Sequence, residues 1–235
     1  TLLTQGDRPA GLFYGYVTNG VFSTSQEAAD AGLKVRNADG SFTSFGAGDI
    51  RFVDINEDKV IDEKDRRVLG SPMPEFFGGF STALTYKQFR LEALFTYAGG
   101  HEVFNYMRCL LESASNTDNQ LISVINRWRA EGQVTNMPKA TYGDPLGNSR
   151  FSDRWIEDGS YLRLRHASLS YALPIKGEFV RNATIYVTGT NLLTFTKYMG
   201  YDPEFSASPS IYGQGIDTGL DPQFRSATLG VKLGF

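Results

Sequence analysis

The chain has 235 residues, 41% of them hydrophobic, an ordinary content for a packed protein that suits one large domain or two small ones. Its 23 Lys and Arg against 26 Asp and Glu leave a formal net charge of -3, so no basic field exists to attract nucleic acid. The single cysteine, Cys109, excludes an internal disulfide framework, no CxxC or Cys/His cluster offers a zinc site, and no run reaches the roughly 18 consecutive apolar residues of a membrane-spanning helix, which leaves a membrane barrel open.

The sequence starts at Thr1 without a charged n-region or an apolar h-region, and it reads as a piece of something longer. Aromatic residues at 13% and 25 glycines suit strands, tight turns and interface girdles.

In chain order, the first distinctive element is acidic. GDIRFV reads as extended and leads into DINEDKVIDEKD, Asp54 to Asp65. Against the EF-hand loop pattern, Asp54, Asn56 and Asp58 hold places one, three and five, Val60 offers its carbonyl at seven, and Asp62 sits at nine. Two departures stand out. Lys59 occupies the glycine place, where a left-handed lysine costs roughly 1 kcal/mol, and Asp65 replaces the bidentate Glu at twelve. Asp at that place is similar to dockerin-like calcium loops. The ion-free reading has Asp54 and Asn56 making Asx turns and Asp62 capping a short helix begun by DEKD. A calcium ion here would be structural.

Period-two alternation follows, the mark of strands with two different faces. In FSTALTYK, Phe80, Thr82, Leu84 and Tyr86 share a face, and in FRLEALFTY so do Phe89, Leu91, Ala93, Phe95 and Tyr97; the pair predicts a hairpin turning near Lys87 and Gln88. Val103, Phe104, Met107, Leu110 and Leu111 then fit helical spacing, as do Leu121, Ile122, Ile125 and Trp128, with a break and an N-cap at Asn116 to Asn119. Long Gly/Pro-punctuated loops span Pro138 to Asn148 and Asp202 to Pro222.

In YLRLRHASLSYALP, Leu162 and Leu164 have one parity and Ala167, Leu169, Tyr171 and Leu173 the other, which predicts a β-bulge near Arg165 and His166. ATIYVTGTNLL alternates Ala183, Ile185, Val187 and Gly189 with Thr184, Tyr186, Thr188 and Thr190. SATLGVKLGF closes the chain with Ala227, Leu229, Val231, Leu233 and Phe235 on one face.

One very tight turn among long loops is the alternation of an outer-membrane barrel, with Tyr86, Tyr97, Tyr171 and Phe235 placed at strand ends as a girdle. A soluble sandwich also alternates, because its strands have one core face and one wet face. Pattern alone leaves both open.

Catalytic signals are weak. His101 and His166 fall in no zinc motif, there is no GxSxG elbow, and Asp153, Glu157 and Asp158 read as a polar loop entering a strand rather than a glycosidase pair. We expect no enzyme. Trp155, Tyr161, Tyr198, Tyr201, Phe205 and Tyr212 are candidate ligand or partner contacts, since flat amphipathic rings stack on sugars or peptide; the alternative is that they form the girdle or brace the loops.

Several longer phrases resemble the C-terminal part of SusC/RagA-like TonB-dependent transporters of the Bacteroidetes outer membrane. They are GLFYGYVTNGVFSTSQE, GDIRFVDINEDKVIDEKDRRVLGSPMPEFFGGF, RWRAEGQVTNMPKA, WIEDGSYLRLRHASLSYALP, TGTNLLTFTKYMGYDPE and GIDTGLDPQFRSATLGVKLGF, in that order. The resemblance covers almost the whole chain. It implies an all-β fold in which residues 1–235 are the C-terminal strands of a large transmembrane antiparallel β-barrel, with long extracellular loops containing short helices. Residues 48–75 would then be an acidic extracellular loop, and the plug domain would lie upstream of Thr1. It further implies TonB-dependent import of oligosaccharides or peptides across the bacterial outer membrane. The implied partners are a SusD-like surface lipoprotein, the remaining strands and plug of the same transporter, TonB through the missing N-terminal part, and outer-membrane lipid. The rival expectation is a soluble calcium-assisted glycan-binding β-sandwich module.

Overall fold

The computed structural model describes residues 2–4, 9–175, 179–204 and 213–235. It divides into two compact units. One comprises Met73–His101, Asp158–Phe205 and Leu220–Phe235; the other comprises Thr1–Pro72, Glu102–Glu157 and Ser206–Gly219.

The first unit is a single antiparallel sheet of β1 (Phe76–Tyr86), β2 (Phe89–Gly99), β3 (Tyr161–Leu173), β4 (Asn182–Thr196) and β5 (Ser226–Gly234). Its spatial order, β5-β4-β3-β2-β1, is a plain meander. The strands run to 11, 11, 13, 15 and 9 residues, longer than the ~5–6 typical of globular proteins and suited to a tilted membrane crossing of about 9–11. β1 and β2 turn at Lys87 and Gln88, as the sequence predicts, with Lys87 in the left-handed region at φ 53°.

The predicted bulge is present. The register of β3 skips between Leu164 and His166 against both neighbours. Opposite it, β4 leaves Asn191 and Leu192 unpaired, and Asn191 takes φ 51°. The single extra residue in β3 reverses that strand's parity, so Leu162 and Leu164 rejoin the face of Ala167, Leu169 and Tyr171, whereas the two extra residues of β4 leave its alternation unchanged.

The register then lines up whole rows. Leu84, Leu91, Leu169, Val187 and Leu229 form one apolar row across all five strands, and Tyr86, Phe89, Tyr171, Ile185 and Val231 form the next. Toward the other end come Phe80, Phe95, Leu164 and Leu193, then Tyr97, Leu162 and Phe195. The opposite face carries Thr85, Arg90, Ser170 and Tyr186, then Glu92, Ser168, Thr188 and Thr228.

The second unit is built of short strands and loops around two apolar clusters. The larger contains Tyr16, Phe22, Leu33, Phe45, Ile50, Phe52 and Ile61; the smaller contains Phe13, Phe104 and Trp155. Its helix Ser25–Ala31 is capped by Thr24, whose hydroxyl accepts from Glu27 N, and ends at Gly32 with φ 64°.

Two helix expectations need correction. Val103 and Phe104 lie in the strand Glu102–Asn105, and the helix is confined to Tyr106–Glu112 with Asn105 as its cap. The side chain of Asn105 accepts from Arg108 N and Phe104 N bonds to Gly215 O, so backbone pairing outweighs the helical spacing of the apolar residues. Downstream, only a 3-10 turn forms over Ile122–Asn126. Trp128 is drawn instead to Met137 O through its backbone N–H and to Ser23 O through Nε1, and it lies so close over Gly48 (φ 81°) that a Cβ there would meet the indole at 2.5 Å.

Candidate functional site

The sheet's chemistry lies in the contrast between its faces. In the central apolar row Leu84, Leu91, Leu169, Val187 and Leu229 are 61%, 43%, 50%, 50% and 74% exposed among the described residues. Leaving apolar side chains in water forgoes roughly 1.5–3 kcal/mol each, so this face is made for an apolar solvent. Aromatic rings frame it: Phe89 tilts against Tyr171 at 4.6 Å at one end, and Phe76 against Tyr97 at 6.3 Å at the other. Phe89 and Tyr97 are eight residues apart on one strand, about 26 Å at ~3.3 Å per residue, close to the apolar band of a membrane barrel. The other face is hydroxyl-rich and charged, with Arg90 donating to Glu92 and Thr190 bonded to Ser226.

On that polar face the bulge places Arg163, which is 2% exposed. Its guanidinium bonds to Asp202 and lies 3.1 Å from Glu204, which also accepts from Arg165. Asp202 in turn accepts from Glu204 N at 2.9 Å and Gln223 N at 3.1 Å. This buried ion pair, with Asp202 also holding two backbone N–H groups, fastens the residues around Asp202 and Gln223 to β3.

The acidic stretch forms a loop held by its own side chains. Asp54 Oδ2 accepts from Lys59 N at 2.6 Å, Asn56 Oδ1 from Asp58 N at 3.3 Å, Asp58 Oδ1 from Val60 N at 2.9 Å and Asp62 Oδ1 from Lys64 N at 2.8 Å. Lys59 has φ 62°, the left-handed conformation expected at the glycine place, and Glu57 has φ 61°. Asp62 caps the short 3-10 helix Glu63–Asp65. The wholly buried Asp65 spends one oxygen on Ile55 N and the other on Asp62 N, both at 2.9 Å, which are the atoms a bidentate ligand at place twelve would offer. Asp54 Oδ1 is buried without a hydrogen-bond partner. Among the described residues no group of three or more His, Cys, Asp or Glu converges to hold a metal ion.

The candidate aromatics divide. Trp155 is 1% exposed, its Nε1 donating to Arg150 O and its ring capped by the Arg108 and Arg154 guanidinium groups; Tyr198 is 6% exposed. As ligand contacts these two are corrected: burial makes them braces within their units. Tyr161 is half-buried on the polar face, with Arg163 over its ring at 5.8 Å. Tyr201 is 81% exposed, and Phe205 and Tyr212 lie outside the described residues.

The three loop carboxylates are all engaged. Asp153 holds Thr18 N and Oγ1, Glu157 holds Asn105 and Arg108, and Asp158 accepts from Ser160 N. Bonds from Ser160 hold the Asp158 carboxyl below its usual range. His166 lies on the polar face of β3, and His101 is buried beside the sheet's end with its carbonyl accepting from Gly159 N.

An amphipathic sheet with an uncovered apolar face, ringed by aromatics, is the wall of a membrane barrel. No family model matches the chain. It is 31% identical along its whole length to TonB-dependent receptor P3 of Formosa agariphila, and 30% identical over 95% of its length to TonB-dependent receptor P26 of the same organism. The chain belongs to the TonB-dependent receptors. It spans less than a quarter of the curated relatives it matches, 23% and 22% of their lengths.

Solved structures share the receptor fold. A RagAB peptide transporter chain superposes with a TM-score of 0.67 over 96% of this chain and 23% of its own length, at 24% identity. RagAB peptide importer in its 'closed-closed' state gives 0.66 over 99% of this chain and 25% of its own, at 23% identity. As in other TonB-dependent receptors, β1–β5 are a section of an outer-membrane barrel: the exposed rows face lipid, the polar face looks into the lumen, and the free edges of β1 and β5 are where further strands pair.

Proposed function

We propose that the receptor containing this chain imports large nutrients, oligosaccharides or peptides, across the outer membrane, with energy delivered from the inner membrane through TonB and a SusD-like surface lipoprotein as its partner. The carrying observation is the sheet itself. Five strands long enough to cross the bilayer present an uncovered apolar row outward and a hydroxyl-rich, charged row inward. Kinship with the TonB-dependent receptors and a fold shared with the RagAB peptide transporter support the same reading. A sandwich would bury such rows against a second sheet about 10 Å away, so the exposed faces speak against that rival. The engaged loop carboxylates give no reason to propose an enzyme.

The test is to extract the full-length receptor gently from its native outer membrane and identify by mass spectrometry what accompanies it. A co-purifying lipoprotein with a retained oligomer is expected. A receptor found only in the soluble fraction, without a lipoprotein, overturns the proposal.

A further inference from the structure

We propose that the lumen face carries a contact site for a carboxylate group of the imported oligomer, with Arg225 as the anion's partner and Tyr201 and Phe224 as flanking rings; this rests on the transporter reading above. The site is a cavity of about 500 Å³ within the sheet unit. Thr194 and Thr196 of β4 form its hydroxyl floor, while Tyr201, Phe224 and Arg225 contribute from two loops.

Three observations converge. The first is charge. Asp202 and Glu204 are already bound to Arg163 and Arg165, so three arginines face two carboxylates and Arg225 is left with no ion-pair partner among the described residues. Asp221, on the same loop, does not line the cavity. The second is the rings. Tyr201 and Phe224 are 81% and 84% exposed, and neither packs on another ring among the described residues. Most exposed apolar residues of this sheet lie in the lipid-facing rows, but these two border a cavity on the lumen face, beside the Thr194 and Thr196 hydroxyls. Flat rings with free faces beside hydroxyls suit a stacked sugar or an apolar peptide side chain.

The third is rigidity before any ligand arrives. Asn191, turned into place by the bulge, donates from Nδ2 to Phe224 O at 3.0 Å, and Asp202 holds Gln223 N at 3.1 Å. Both bonds fasten the 222–225 stretch to groups on or anchored to β3 and β4. A site fixed in advance loses less entropy on binding. Arg presents a planar fork to a carboxylate, so the recognised group is an anion with two parallel oxygens. Acidic peptides and uronic-acid oligosaccharides both carry it.

The experiment uses the full-length receptor in detergent with four probes of matched length: a glutamate-rich peptide, its end-blocked glutamine counterpart, an oligogalacturonide and the neutral galacto-oligosaccharide. Wild type is expected to favour the acidic member of one pair, and that pair names the source of the carboxylate. Arg225→Gln is expected to weaken that ligand about tenfold, the loss of one charge-assisted hydrogen bond, and to leave its neutral counterpart unchanged. Arg225→Lys should recover part of the loss, and the wild-type preference should fade with added salt. Acidic binding that survives Arg225→Gln, or an equal loss on both members of a pair, overturns this site while leaving the transporter reading intact. A wild type that binds none of the four overturns the site and counts against the transporter reading as well.

Discussion

The two units of this chain solve the hydrophobic problem in opposite ways. Among the described residues, the large apolar side chains that are fully buried, including Trp155, Phe13, Phe22, Phe52, Ile50 and Ile61, lie in the loop-built unit, although that unit has little regular structure. The sheet unit is built mainly of long strands, yet the residues of its central apolar row are 43–74% exposed. Regularity is therefore no guide to where a core lies. The loop unit draws stability from its own interior, whereas the sheet relies on lipid and on neighbouring strands, because in hydrocarbon it is the closed backbone ladder that must be satisfied.

The largest effect that sharpens this contrast is in the loop core. Phe52 is 2% exposed and its ring meets those of Tyr16 and Phe45 at 5.7 and 5.8 Å. Phe52→Ala is expected to cost about 3–5 kcal/mol, enough to open the loop unit. Limited proteolysis of the embedded full-length receptor should show faster cleavage within residues 1–72, with strands β1–β5 still protected. Equal loss of protection in both units would break the proposed independence of their stabilities.

Next comes a matched pair on one strand. Leu169→Arg, in the middle of the apolar row, should destabilise the barrel by about 2–4 kcal/mol in a bilayer, whereas Ser168→Arg on the opposite face should have a much smaller effect. Equilibrium unfolding of the full-length receptor from lipid vesicles reads the difference. Reversed sensitivities would invert the assignment of the faces.

These two regions were also unequally legible in the sequence. Strict alternation gave the strands, and a parity switch between Leu164 and Ala167 was enough to locate the bulge. The left-handed Lys59 could be read from its place in the acidic loop. Helical spacing misled at Val103 and Phe104, since so few apolar residues fit either period and the deciding bond, Phe104 N to Gly215 O, comes from far along the chain. Loop aromatics look alike in sequence whether buried or free, so Trp155 and Tyr201 could not be told apart. Nor could the Arg163–Asp202 pair or the Arg225 cavity be foreseen, because their residues meet only once the bulge and two loops are in place.

A smaller effect concerns the acidic loop. Asp65→Ala strips acceptors from two backbone N–H groups and should cost about 1–3 kcal/mol, seen as earlier proteolytic cutting between Asp54 and Asp65. Calcium is a separate proposal for the same loop, drawn from the spacing of its acids. Its measurable consequence is that about millimolar calcium slows that cutting in wild type and not in Asp58→Ala. Identical cutting with calcium and with chelator would leave Asp65 and its neighbours as a loop closed by hydrogen bonds alone.

The smallest expected effect isolates the loop core without removing an atom from it. Burial, reinforced by Asp144, pushes the Cys109 thiol up to about 11 against an ordinary 9.0, despite the opposing pull of Arg108 and Arg154. Only the thiolate is alkylated, so raising the thiol's value keeps the reactive form scarce until pH climbs toward 11. Near pH 8 the native receptor should react with iodoacetamide roughly a hundredfold more slowly than its denatured chain, since two pKa units separate their thiolate fractions. The Phe52→Ala receptor should fall between them if opening one apolar cluster loosens the unit that holds Cys109. A rate identical to wild type would mean that the Phe13–Phe104–Trp155 cluster around Cys109 holds without the larger one, and that the loop unit is two cores rather than one.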